Sequence, residues 1–278
     1  MASGPVIRLS VFGNPVAQSL SPAIHGRFAE QCGLNVDYQA IEATSESFPE
    51  LTRALARRNG RGCNITAPFK NAAWKLANRC SDSASRARAA NTLVFESAEE
   101  WYADSTDGSG MVNDFLSISS LELAGSRICL MGAGGAAASV LGALLRTRPE
   151  TIVIANRSID RAIGLAESHS DLGTVGVCAP ANLPSEAPFD LIINATSLGH
   201  SGQAPVMIST WLNPGGLCYD MNYGAAAEPL QRACMDQGIR YSDGLGMLVE
   251  QAAISFRLWT GSTPDASEVL HHLRGTPG

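Results

Sequence analysis

The segment RICLMGAGGAA, residues 127–137, constrains the fold more than any other in the chain. An apolar strand-like run ends directly in a glycine turn. A long Ala/Leu-rich helical stretch, Ala136 to Arg146, follows at once. Gly132, Gly134 and Ala137 have G-x-G-x-x-A spacing in the strand-to-helix context that a dinucleotide fingerprint requires. The first glycine makes the tight turn, and the second lets a pyrophosphate approach bare backbone. The alanine keeps the helix close to the strand, and the helix N-terminus faces the anion.

The next strand carries the discriminating chemistry. TIVIA, residues 151–155, ends in Asn156-Arg157-Ser158, with no carboxylate at its tip and Arg161 one helical turn on. A site for an unphosphorylated ribose usually places Asp or Glu there. Two arginines suit a 2′-phosphate instead, so the expected cofactor is NADP.

Around this turn, apolar runs and helical stretches alternate along the 278 residues. Val6–Phe12, Val36–Ile41, Arg61–Thr66, Thr92–Phe95 and Glu100–Ala103 read as strands, the last two as a hairpin. Arg127–Met131, Thr151–Ala155, Asp190–Asn194 and Gly216–Asp220 form a second set, opening after Asp107-Gly108. Helices are expected over Pro22–Cys32 (capped by Ser21), Phe48–Arg58, Ser109–Ser119, Ala136–Arg146, Gly246–Thr260 and Asp265–Leu273. This alternation predicts an α/β fold with parallel pairing.

Composition narrows the partners. A formal net charge of −6 argues against a nucleic-acid footprint. Seven cysteines without a C-x-x-C pair read as small core residues in a reducing compartment. The five histidines show no ligand spacing, so no metal is expected. There is no secretory-type N-terminus and no apolar run of membrane-spanning length, which gives a cytoplasmic reading with no membrane partner.

Several polar residues fall at strand ends or beside prolines. Ser19 and Ser21 flank Leu20. Asn64, Thr66 and Lys70 lie in CNITAPFK, Asn91 and Thr92 open a strand, and Asp107 sits in DSTDG. Singly, each has a plain reading as a cap, a turn or a solvated charge. Together they suit a polyhydroxylated small molecule, whose hydroxyls need buried donors and acceptors.

NPVAQSLSPAIH, NITAPFK, ANTLVF, DSTDGSG, GAGGAAASVL, IANRS, INATSLG, YDMNY and DGLGMLVEQAAISFRLW, in this order, resemble the motifs of the shikimate dehydrogenases. The resemblance runs from about residue 10 to about residue 264. It implies NADPH-dependent, reversible reduction of 3-dehydroshikimate to shikimate at the C3 carbonyl, on the route to chorismate and the aromatic amino acids. It also implies two domains. Residues 1–106 and 245–278 would bind substrate, residues 107–244 would form an NADP-binding Rossmann domain, and the site would lie in the cleft between. The oligomeric state is open between monomer and homodimer.

Residue by residue, Lys70 and Asp107 match the family's catalytic pair. Ser19, Ser21, Asn64, Thr66, Lys70, Asn91, Asp107, Tyr223 and Gln251 match substrate-contacting positions. Gly132, Ala133, Gly134, Gly135 and Ala136 match the pyrophosphate loop, and Asn156, Arg157, Ser158 and Arg161 the adenosine-phosphate grip. Thr196, Ser197, Gly244 and Met247 fall on the nicotinamide side. Gln18, Ala67, Ser105 and the GAAAEPL stretch after Tyr223 depart from the family pattern near the substrate rim. A quinate or aminoshikimate dehydrogenase therefore stays open, as does a silent NADP-binding regulatory protein.

Eighteen of the twenty basic residues are Arg; only Lys70 and Lys75 are Lys. Lys75 reads as a helix-surface charge. Lys70 matches a position where a transferable proton is required, which Arg does not easily give up.

Overall fold

The computed structural model describes residues 4–118 and 121–275, and the last residue of the expected Ser109–Ser119 helix lies outside them. The chain forms two compact units, Met1–Gly110 with Leu248–Gly278, and Met111–Met247.

The first unit contains β1 (Ile7–Gly13), α1 (Ser21–Cys32), β2 (Val36–Glu42), α2 (Phe48–Arg57), β3 (Gly60–Ile65), α3 (Lys70–Leu76), β4 (Arg79–Cys80), α4 (Asp82–Ala87), β5 (Thr92–Phe95) and β6 (Trp101–Asp104). Its sheet order is β2-β1-β3-β5-β6-β4. The expected hairpin forms with Thr92 opposite Asp104, and β5 also runs antiparallel to β3, with Asn64 opposite Thr92. The sheet is therefore mixed, since β1 pairs in parallel with both β2 and β3. One core cluster gathers Phe12, Phe48, Phe69, Leu93 and Trp101.

The chain leaves through α5 (Asp107–Ile118) into the second unit. There it forms β7 (Arg127–Met131), α6 (Gly135–Arg146), β8 (Thr151–Ala155), α7 (Ile159–Glu167), β9 (Val175–Cys178), α8 (Leu183–Glu186), β10 (Phe189–Asn194), β11 (Leu212–Asp220), α9 (Glu228–Asp236) and β12 (Arg240–Ser242). All five pairings in this sheet are parallel, in the order β12-β11-β10-β7-β8-β9. That is the doubly wound order, and it puts a switch point between β7 and β10, where strand order reverses. α10 (Leu245–Thr260) then returns to the first unit, and α11 (Ala266–Gly275) follows. Val249 and Phe256 of α10 join Ile24 and Phe28 of α1 in a separate buried cluster. The units part at Gly110 and Met247, inside α5 and α10, because packing continues along a helix beyond the loop that precedes it.

Two local expectations need correction. Ser21 does not cap α1 but is its first residue, and Leu20 is the N-cap. The Ser21 N–H is met instead by the Ser19 hydroxyl, at 3.2 Å. Lys70 does not extend from a strand tip; it opens the seven-residue helix α3.

No helix among the described residues is long and apolar enough to cross a membrane. No cluster of three or more His, Cys, Asp or Glu side chains among them is arranged to hold a metal.

Candidate active site

In the first unit, apolar anchoring places the key charge. Phe69 is buried and stacks on Phe48 at 4.9 Å, so the residue after it cannot wander. The Lys70 carbonyl accepts from the Ala90 N–H at 2.9 Å, tying the start of α3 to the approach of β5. Lys70 Nζ then lies 2.6 Å from Asp107 Oδ2. The Lys70 side chain is 31% exposed and that of Asp107 is 9% exposed. The pair thus has one partner reachable by water and one shielded from it.

Asp107 is held from behind. Asn91 Nδ2 donates to Asp107 Oδ1 at 2.7 Å and to Gln251 Oε1 at 3.0 Å. Asn91 Oδ1 accepts the Thr106 backbone N–H at 2.9 Å. A carboxylate only accepts and a backbone N–H only donates, so both ends fix the amide's orientation. Gln251 lies close because Gly110 has no side chain. A Cβ on Gly110 would meet the Gln251 backbone nitrogen at 2.6 Å.

Asn64 is more enclosed than a substrate contact needs to be. Its Nδ2 donates to the Asn91 carbonyl at 3.1 Å, with Thr92 Oγ1 and Ser255 Oγ each at 3.2 Å. Its Oδ1 accepts from Tyr38 at 2.7 Å and from His25 Nε2 at 3.1 Å. Ser19 and Thr66 are half-buried, and Ser21 is buried. Sequence reasoning passed over His25, Tyr38 and Ser255. The available signals were a histidine among Ile24, Phe28 and Ala29 on one face of α1, and a serine four residues beyond Gln251 on α10. His25 is fully buried, and burial lowers its pKa to about 3 against the opposing effect of the hydrogen bond it donates to Asn64. Burial likewise pushes the Tyr38 hydroxyl well up.

In the second unit, a groove of about 800 Å³ opens at the carboxyl ends of β7, β8 and β10. Gly132, Ala133, Gly134, Gly135, Ala136, Asn156, Arg157, Thr196 and Ser197 all line it. Gly132 has φ +109°, and a Cβ there would meet the Ala195 carbonyl oxygen at 3.1 Å. Gly134 is the N-cap of α6, whose first turn carries no acidic residue. Pro180, Leu183, Pro205, Val206 and Trp211 add an apolar wall that sequence reasoning did not single out. Its signal was two Pro/Ala-rich stretches, CAPANLP and QAPV, that carry apolar residues without strand or amphipathic-helix periodicity.

Four expected residues do not line the groove. Ser158 and Arg161 are exposed on and just beyond the N-terminus of α7. Met247 is buried in the apolar core of this unit. Gly244 packs against backbone, where a Cβ would come within 2.5 Å of the Met221 carbonyl oxygen. Tyr223 is half-buried, and burial raises its hydroxyl pKa.

Three family profiles match the chain in order. They are described as shikimate dehydrogenase substrate binding domain (residues 11–93), shikimate / quinate 5-dehydrogenase (116–205) and shikimate 5′-dehydrogenase C-terminal domain (244–274). A protein of Dechloromonas aromatica named shikimate dehydrogenase (NADP(+)) is 44% identical over 265 residues, 95% of this chain and 96% of the relative. One of Acidovorax sp. strain JS42, with the same name, is 45% identical over 95% of this chain and 94% of its own. Among solved structures, an Ael1 enzyme from Pseudomonas putida superposes with TM-score 0.88 at 35% identity, covering 96% of this chain and 98% of that one. Shikimate 5-dehydrogenase from Thermus thermophilus, in complex with NADP(H) and shikimate, gives TM-score 0.83 at 30% identity with the same coverage. This chain belongs to the shikimate dehydrogenase family.

Proposed function

We propose that the chain is an NADP-dependent shikimate dehydrogenase that reduces 3-dehydroshikimate to shikimate on the route to chorismate, with Lys70 and Asp107 as its acid–base pair. The observation that carries this reading is the 2.6 Å approach of the Lys70 ammonium to a largely shielded carboxylate.

Ketone reduction leaves charge on the carbonyl oxygen as it becomes an alkoxide. The ammonium of Lys70 stabilises that charge and then delivers the proton. Asp107 orients the ammonium and, once the proton has gone, favours its return. The partial exposure of Lys70 lets water supply that proton. Asn91 holds Asp107 through Oδ1 and leaves Oδ2 to the lysine. Ser19, Ser21, Thr66, Asn91 and Gln251 belong to the same unit and supply the donors and acceptors that a ring with several hydroxyls and a carboxylate would engage.

The second-unit groove fits NADP. The left-handed turn at Gly132, the open backbone at Gly134 and the free N-terminus of α6 suit a pyrophosphate. Arg157, exposed at the groove's edge where a carboxylate would otherwise select NAD, suits a 2′-phosphate. When bound, the cofactor supplies the hydride.

The test mixes purified protein with shikimate and NADP⁺ and follows the absorbance of reduced cofactor, with quinate and NAD⁺ in parallel. Turnover is expected with shikimate and NADP⁺. Cofactor binding without turnover on any pair would defeat the proposal, and faster turnover on quinate would move the substrate assignment.

A further inference from the structure

One buried carboxylate in the second unit has no part in the chemistry above. Asp220, the last residue of β11, is fully buried and stands in register beside Asn194, the last residue of β10. Its Oδ1 accepts from Asn194 Nδ2 at 2.9 Å, from the Asn222 backbone N–H at 3.0 Å and from Asn222 Nδ2 at 2.8 Å. Its Oδ2 accepts from the Tyr241 hydroxyl at 3.3 Å. Burial raises its pKa, while hydrogen bonds from Asn222, Asn194 and Tyr241 work to lower it.

The two asparagines carry this anchorage outward. Because Asn194 gives its Nδ2 to Asp220, its Oδ1 must face the other way. There it accepts both the backbone N–H of Thr196, at 3.0 Å, and the Thr196 hydroxyl, at 2.7 Å. Asn222 Nδ2 also reaches the Thr196 carbonyl, at 3.2 Å. Thr196 is thus gripped at nitrogen, hydroxyl and carbonyl by two side chains that share one carboxylate oxygen. Asn222 further accepts the Gly244 N–H at 2.9 Å through its carbonyl, and the Met221 N–H donates to the Asn194 carbonyl at 3.0 Å. Thr196 and Ser197 line the cofactor groove, whereas Asp220, Asn194 and Asn222 do not.

We infer that Asp220 is a positioning residue for the cofactor site: it sets the Thr196–Ser197 wall of the groove through Asn194 and Asn222. The inference rests on the NADP reading above. What the site needs from Asp220 is an acceptor oxygen for three N–H donors, and its charge is not required. Replaced by Asn, the side chain can keep Oδ1 toward those donors. Its new Nδ2 then faces Tyr241, whose hydroxyl accepts from it and still donates to the Ala227 carbonyl, 3.3 Å away. In Asp220→Ala the carboxylate acceptor is gone. Asn222 Nδ2 keeps the Thr196 carbonyl and Tyr241 the Ala227 carbonyl. Asn194 Nδ2 and the Asn222 N–H are left unmet, and Asn194 is free to turn over and release Thr196.

The test titrates NADP⁺ calorimetrically into the wild type and into Asp220→Ala, Asp220→Asn and Asn222→Ala, each checked by circular dichroism for a folded chain at the titration temperature. Asp220→Ala is expected to raise Kd by about tenfold or more, and Asp220→Asn to restore it to within about threefold of wild type. Asn222→Ala, outside the groove, should weaken binding by roughly threefold or more. Wild-type protein that fails to bind NADP⁺ would overturn the cofactor reading itself. A folded Asp220→Ala that binds like wild type would overturn the inference alone, as would an Asp220→Asn no better than Asp220→Ala. If Asp220→Ala does not fold, an unchanged Kd in Asn222→Ala overturns it.

Discussion

His25 Nε2 lies 3.1 Å from Asn64 Oδ1, and because that oxygen can only accept, the buried imidazole carries its proton on Nε2. Nδ1 is left without a hydrogen-bond partner among the described residues. The ring is packed between Tyr38, stacked at 4.3 Å, and Phe256, at 6.0 Å. With a folded-state pKa of about 3 against an ordinary 6.5, the unfolded chain binds a proton between those values that the folded chain does not. Stability therefore rises with pH through that window and is lost as pH falls, by about 1.4 kcal/mol per pH unit where the slope is steepest. His25→Phe keeps an aromatic ring and removes the titration. Its melting temperature should change less than that of wild type between about pH 6 and pH 4. Parallel curves would mean that His25 does not govern acid stability.

Lys70→Ala should lower kcat by roughly 10²- to 10⁴-fold while changing KM far less, because the ammonium acts chiefly on charge that develops during the reaction. Lys70→Arg restores the positive charge but not a transferable proton, so it should stay close to the alanine variant in kcat. Steady-state kinetics with shikimate and NADP⁺ decide this. A kcat for Lys70→Ala near wild type would remove the residue from the chemical step.

Arg157→Ala tests the phosphate grip. Removing a charge-assisted hydrogen bond at the groove's edge should raise KM for NADP⁺ by about tenfold and leave that for NAD⁺ within about twofold. Equal losses with both cofactors would place the guanidinium on a feature they share.

Two glycines should respond in opposite ways. A Cβ at Gly62 would lie 2.2 Å from both the Leu93 carbonyl oxygen and Trp259 Nε1, two atoms that are themselves hydrogen-bonded at 2.9 Å. Gly62→Ala should therefore cost about 2–3 kcal/mol in urea denaturation. Gly134 has φ −94° and nothing within 4 Å of its would-be Cβ. Gly134→Ala should stay within about 0.5 kcal/mol in stability and weaken NADP⁺ binding. A stable Gly62→Ala would show that the indole can move aside.

Much of this architecture is legible in the chain because strands such as Thr151–Ala155 are short apolar runs bounded by turn residues. β4, with two residues, and β12, with three, are too short for any periodicity to register. α3 opens directly on Lys70 with no side-chain cap, so although Pro68 ends the strand, no local signal marks where the helix begins. The site shows the same division. Lys70, Asp107 and Asn91 have plain readings taken singly and stand out only through the family motifs that hold them, NITAPFK, DSTDGSG and ANTLVF. That Asn91 shares its amide between Asp107 and Gln251, 160 positions away in the chain, depends on pairing that no local pattern records. The Asp220 anchorage escaped for the same reason, since Asp220 meets Asn194 only through the register of two parallel strands.

The discontinuity of the first unit bears on how the protein is made. Residues up to Gly110 supply Lys70, Asp107, Asn91 and Asn64, while Gln251, Ser255 and the cover over α1 come from α10. A growing chain must therefore hold its first sheet partly uncovered while more than 130 residues of the second unit are synthesised (Met111–Met247). During that interval Ile24 and Phe28 lack the apolar partners that bury them, a surface that invites chaperones or aggregation. A product ending between β12 and α10 has every strand of the nucleotide-type sheet yet lacks the amide and hydroxyl that close the polar network behind Lys70. Competence at this site thus waits for α10, which is made only after the whole of the second unit.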